Sequence, residues 1–253
     1  MQFQDWISNP LNFLLENLEF LILGITTLLF VIVTLIISGK MIYRGIKLEL
    51  KTISYVGIEY FGVASCWFGV TFNFIIILFF NIIPPWELHF IAHGGIVSIA
   101  QIFWVFAMTE LLPIKTTQGK IIKILAIVFG LSVEILYIII IFTNISWLGT
   151  PVAPIQIVYG WFSYIYLMGE LIVFLSFGFW FVKESLRADD TKIRLKGKFL
   201  AFSFVIFTLA SILEVFFQEI WIFVFARITV TCSAFFFYIG FLLPKKIENI
   251  FIK

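Results

Sequence analysis

Of 253 residues, 62% are hydrophobic and only 13% charged, where a soluble domain carries roughly a quarter charged; a water-soluble core cannot absorb that much apolar surface. The formal charge of +2, with no basic, aromatic-interleaved surface segment, excludes nucleic acid as a partner. Both cysteines, Cys66 and Cys232, lie inside apolar runs, which excludes an extracellular disulfide framework.

The amino terminus, MQFQDWISNPLNFLLENLEF, has no lysine or arginine ahead of the first apolar run. A cleaved secretory signal has a positive n-region, so this run reads as a retained membrane span. Helices cross hydrocarbon with about 20 apolar residues, and the chain predicts spans at 18–38, 54–81, 88–112, 121–143, 155–182, 199–217 and 220–243. The last two form one apolar stretch interrupted by Gln218 and Glu219. As a single helix that stretch would be about twice the bilayer thickness, so it predicts a hairpin. Strand alternation is absent, which excludes an outer-membrane barrel. The expectation is one polytopic domain over residues 1–253, an all-α bundle of seven transmembrane helices in the cell membrane.

Cations fix a predicted orientation. Lys40, Arg44, Lys47 and Lys51 follow the first span, and Lys115, Lys120 and Lys123 follow the third. Lys183, Arg187, Lys192, Arg194, Lys196 and Lys198 follow the fifth, and Lys245, Lys246 and Lys253 end the chain. The intervening connections have none. By the positive-inside rule the amino terminus is outside and the carboxyl terminus cytoplasmic. Trp6, Trp86, Trp147 and Trp221 fall near outer span ends, as an aromatic belt would. All but one of the 17 lysines and arginines obey the pattern. The exception is Arg227, roughly 9 Å inside the outer end of the last helix.

Small and polar residues should face inward in a membrane bundle. Helical spacing picks out Glu59, Gly62, Cys66, Gly69 and Asn73 on the second span, and Gly94, Ser98 and Gln101 on the third. Tyr159, Ser163, Tyr166 and Glu170 form the stripe of the fifth, and Ser203, Ala210, Glu214 and Gln218 that of the sixth. Among the acids, Glu59 and Glu110 lie near cytoplasmic helix ends and are expected to snorkel to water. Glu134, Glu170 and Glu214 lie deeper, where each must be paired, protonated or hydrated. A guanidinium cannot shed its proton, so Arg227 is expected to face the bundle and bond Glu134, Glu214 or Glu170. The candidate ligand site is therefore Arg227 with Glu134, Glu170 and Glu214 as a floor, and Tyr159, Tyr166 and Gln101 on the walls, open to the outside. The alternative is an Arg–Glu network that only fixes packing.

The two histidines, His89 and His93, share a helix face. They could be half of a metal site with Glu87 or Glu219 as third ligand, but they read as interfacial side chains without metal, and no cofactor is expected. Cys66 and Cys232 fall at similar depth and read as packing residues. The mixed-charge loop ESLRADDTKIRLKGK reads as a solvated connection beside anionic headgroups, with docking of a partner as the other reading.

Seven helices with the amino terminus outside resemble microbial rhodopsins and receptor-like sensors. The seventh span has no lysine for a retinal Schiff base. The "AR" at 226–227 and "FYIGFLLPKK" at 237–246 resemble the last helix of seven-helix sensory modules that precede prokaryotic, especially archaeal, histidine kinases; the rest agrees in topology only. That resemblance implies a non-enzymatic, receptor-like sensor, and the Arg227–glutamate cluster points to a small polar or amphiphilic ligand arriving from outside. With the sequence ending at Lys253, soon after Pro244, its output is expected to come from a separate cytoplasmic signalling protein. A proton-coupled small-molecule transporter is the alternative, favoured by the intramembrane glutamates. Against it stand the lack of an internal repeat and of a pair of Gly/Pro-broken helices. An intramembrane enzyme is third, since no serine–histidine or multi-histidine constellation is present.

Overall fold

The computed structural model describes residues 5–217 and 219–252; Gln218 of the sixth-span stripe and Lys253 of the basic tail lie outside the described residues. Two short helices, α1 (Asp5–Ser8) and α2 (Pro10–Glu16), precede α3 (Leu18–Lys47). Then come α4 (Lys51–Ser65), α5 (Phe68–Phe80), α6 (Trp86–Gly94), α7 (Val97–Leu111) and α8 (Thr116–Thr143). A single 3-10 turn leads into an antiparallel hairpin of β1 (Gly149–Ala153) and β2 (Gln156–Tyr159). The chain ends with α9 (Trp161–Arg187), α10 (Thr191–Phe216), α11 (Ile220–Leu242) and α12 (Lys245–Phe251). Among the described residues, six helical stretches are long and apolar enough to cross a membrane; the bent pair α4–α5 makes up to seven. This is the build of a multi-pass, all-α membrane protein.

Six helices close a ring. α3 packs on α4, α4 on α7, α7 on α9, α9 on α10, α10 on α11, and α11 back on α3. Each contributes at least one large aromatic ring to a common core, among them Phe30, Tyr60, Trp104, Phe174, Phe204 and Phe237. Tyr60 stacks on Phe237 at 4.2 Å, and the Trp104 indole N–H donates to the Phe174 carbonyl at 3.1 Å. α8 stands outside the ring against α7 and turns Leu125, Phe129, Ile135 and Ile139 outward. Hydroxyls face the other way: Thr27, Thr34, Ser98, Ser203 and Ser233 are buried. Apolar outside and small or polar inside is the pattern that lipid imposes.

The basic connections gather at one end of the ring. Lys123 pairs with Glu110 at 2.8 Å, Lys192 with Glu248, and Lys196 feels the charges of Asp190, Glu248 and Arg44. At the opposite end, α2 and the hairpin lie against α5. The Leu11 N–H donates to Asn81 Oδ1 at 2.9 Å, and Asn73 Nδ2 donates to the Pro154 carbonyl at 3.1 Å.

Three features depart from the sequence expectations. The fifth helix starts at Trp161, so 155–160 belong to the hairpin, and Tyr159 is a strand residue. Proline at 151 and 154 favours a turn over a helix start.

Second, the 54–81 span is broken and bends by 58°. The Ser65 hydroxyl donates to the Gly62 carbonyl at 2.6 Å, and the Cys66 N–H, which would bond that carbonyl in a helix, turns to Ala64 instead. A side chain substituting into the backbone ladder is a recognised cause of kinks.

Third, the span from Trp86 to Leu111 is interrupted between α6 and α7. The Tyr166 hydroxyl is inserted there: it donates to the Gly94 carbonyl at 2.9 Å and accepts from the Ser98 N–H at 3.3 Å. One phenol thus splices the two groups that a continuous helix would have bonded to each other. Only the second interruption falls at glycines, Gly94 and Gly95, and the break at Ser65–Trp67 has neither glycine nor proline.

Candidate functional site

The ring is not filled throughout. A cavity of about 110 Å³ lies between α4, α7, α9 and α10, where the α4–α5 break and β2 also reach its wall. Each water needs roughly 10–15 Å³ by such a measure, and an engineered cavity of about 150 Å³ takes benzene. This one therefore suits a few waters or one small molecule. Its apolar wall includes Val63, Val97, Leu171, Phe174 and Phe207; three carboxyl side chains, Glu59, Glu170 and Glu214, also line it.

Arg227 has one acidic partner among the three that the sequence allowed. It pairs with Glu214, donates from Nε to Thr27 Oγ1 at 3.1 Å, and lies 5.2 Å from the centre of the Trp67 ring. The Trp67 indole N–H donates to Glu214 at 3.3 Å. The α4–α5 break presents Trp67 to both members of the pair. Arg227 itself is not on the cavity wall, because Glu214 and Trp67 stand there; as a wall residue it is replaced by its partner.

Glu59 corrects the snorkelling expectation. It lies about 12 Å along α4 from Lys51, too deep to reach water, and is 2% exposed. With its amide oriented to satisfy both neighbours, Gln101 donates from nitrogen to Glu59 Oε1 at 2.9 Å and accepts from the Phe174 N–H at 3.1 Å. Glu59 Oε2 has no partner. Glu170 accepts a hydrogen bond from the Ser98 hydroxyl and is close enough to Glu59 for their charges to interact. Among the described residues, no lysine, arginine or histidine forms an ion pair with either acid. Glu110, by contrast, does reach the edge and Lys123.

The seven sequence candidates therefore divide. Gln101, Tyr159, Glu170 and Glu214 line the cavity, with Arg227 behind it. Glu134 does not join them: it is buried on α8, 3.3 Å from the Tyr166 hydroxyl. Tyr166 faces a second space, an apolar groove of about 490 Å³ between α7, α8 and α9. Gln101 and Glu170 belong to the walls of both spaces. Burial pushes the Tyr159 phenol above its ordinary range, while the charge of Arg227 acts in the opposite sense.

The histidines are packed inside the protein rather than on its surface. Both are fully buried on α6 and stack at 6.0 Å, and His93 lies 5.5 Å from the Tyr159 ring. The backbone of Gly69 in α5 and of Cys66 at the α4–α5 break adjoins their rings. Glu87 and Glu219 are exposed. Among the described residues, no group of three or more His, Cys, Asp or Glu side chains is disposed to hold a metal. Cys66 lines the cavity, whereas Cys232 is exposed on the outside of α11.

Sequence reasoning overlooked Trp67 and misjudged Glu59. Nothing marks Trp67, a large apolar residue in an apolar run. Glu59 stood at the head of its stripe with Gly62 and Cys66, and that periodicity was the signal for burial. No protein-family model matches this chain, and no curated protein matches it significantly.

Proposed function

We propose that this chain is a receptor-like protein of the cell membrane that binds a small polar or amphiphilic ligand within its helical ring. In this reading α4–α5 counts as one crossing, giving seven spans with the amino terminus outside and the carboxyl terminus cytoplasmic. The ligand arrives from the outer side, and binding is passed to a separate cytoplasmic protein. The observation that carries the reading is the cavity itself, with a buried, partly unbonded carboxylate at Glu59 set in an apolar wall. Buried acids in a membrane protein mark functional sites by default, and a mostly apolar cavity with a few convergent polar groups is the usual form of a ligand site. Convergence of the basic connections at one end supports the orientation.

The carrier reading is favoured by one specific observation, the break at Cys66–Trp67 beside the cavity, since carriers often build midplane sites from discontinuous helices. Two measurements separate the readings. Mass spectrometry of small molecules retained after gentle purification tests occupancy. Uptake into energised proteoliposomes then tests transport: a retained molecule that binds saturably without accumulating supports a receptor. Accumulation driven by a proton gradient replaces the receptor with a carrier.

A further inference from the structure

The charge of the cavity wall indicates what class of ligand fits. Arg227 is neutralised by Glu214 and held over Trp67, so its charge is spent within the protein. Glu59 and Glu170 share the same space, and neither has a basic partner among the described residues. Glu59 is 2% exposed, and its Oε2 has no hydrogen-bond partner while the residue forms part of the wall. Two carboxylates in one low-dielectric space repel, which a proton or a bound cation relieves. An anionic ligand would add to that repulsion. The remaining wall is aromatic and aliphatic, with Trp67, Phe174 and Phe207 at the cavity, and ring faces attract organic cations.

We propose that the ligand is a small organic ammonium ion, its charged head between Glu59 and Glu170 and its apolar body against the Phe174 and Phe207 walls. This rests on the cavity being a ligand site. The head donates to the free Glu59 Oε2 and to Glu170, while Gln101 keeps Glu59 Oε1 in place. The volume limits the body to about the size of benzene.

The test uses the full chain purified in detergent and two isosteric probes, 3-methylbutylamine hydrochloride and 3-methylbutan-1-ol, with ionic strength matched by sodium chloride. Apparent affinities come from the concentration dependence of the melting temperature. The amine is expected to bind about tenfold or more tighter than the alcohol, as a charge-assisted hydrogen bond requires. Glu59→Gln and Glu170→Gln should each reduce that preference to about threefold or less, while Glu110→Gln at the membrane edge leaves it unchanged. If Glu59→Gln fails to fold, Glu170→Gln carries the comparison. Equal affinity for amine and alcohol overturns the ammonium proposal and leaves the cavity as a ligand site. Stabilisation by sodium chloride as large as by the amine overturns an organic cation. If neither probe stabilises the protein, the cavity reading falls as well.

Discussion

Replacing Arg227 by leucine is the most informative single change in this protein. Arg227 is 6% exposed and has three engagements: the Glu214 carboxylate, the Thr27 hydroxyl and the Trp67 ring. Thr27 keeps a bond when the arginine is lost, because its hydroxyl already donates to the Leu23 carbonyl at 2.7 Å. Glu214 does not recover. Its side chain is 13% exposed, and only the Trp67 N–H would remain to it. Breaking one side of such a buried pair costs about 3–5 kcal/mol, mostly the stranded charge. At about 2–4 °C per kcal/mol for a chain of this size, Arg227→Leu should melt roughly 6–20 °C below the parent. The double variant Arg227→Leu/Glu214→Gln removes the stranded charge and leaves an amide oxygen for Trp67, so most of the loss should return. Lys120→Leu, at an exposed position without an ion pair, should stay within about 0.5 kcal/mol. Thermal unfolding of the four proteins in one detergent provides the comparison. If the double variant is no more stable than Arg227→Leu, the cost does not come from an uncompensated Glu214, and the ion pair is not what holds α10, α11 and the α4–α5 break together.

Tyr166→Phe should cost about 1–3 kcal/mol by stranding the Gly94 carbonyl and Ser98 N–H that its hydroxyl bridges; hydrogen exchange should rise at the α6–α7 junction, and an unchanged profile there would refute the splice. Gly57→Ala should destabilise by about 1–3 kcal/mol, since a Cβ would stand 2.9 Å from the Ile42 backbone nitrogen, whereas Gly39→Ala, with nothing within 4 Å, should be neutral or stabilising by up to about 1 kcal/mol; thermal melts that show the same sign for both would contradict the close α3–α4 crossing. In a background lacking Cys66 and Cys232, single cysteines at Asn9 and Asn144 should be labelled from outside intact cells and Asp189→Cys should not; outside labelling at 189 would refute the orientation. Elemental analysis of the purified protein should find no stoichiometric transition metal, and a metal lost in His89→Ala/His93→Ala would reverse the reading of the histidines.

The membrane-spanning segments were legible in the sequence because burial in lipid is scored residue by residue: a run such as Ile121–Thr143 needs no partner to be recognised, and its helix ends where the run does. The same holds for the basic connections, since lysines and arginines are counted per loop. The sequence also required Arg227 to find a buried acid, because its charge cannot be given up. Which acid it found was decided only in three dimensions. By residue counting Glu134 and Glu214 lie nearest Arg227 in depth and Glu170 closer to the midplane, and the choice of Glu214 over Glu134 follows from α10 packing beside α11 while α8 stands outside the ring. The bend that brings Trp67 over the arginine arises from one serine hydroxyl taking a backbone carbonyl; many serines in apolar helices do this without breaking them, so composition does not foretell it. The Tyr166 splice joins residues 72 positions apart, and the cavity is bounded by residues from four helices and a strand. Hydrophobicity is a property of a segment, whereas partners and empty space depend on the rotation of each helix against its neighbours, and that is fixed only when all of them pack together.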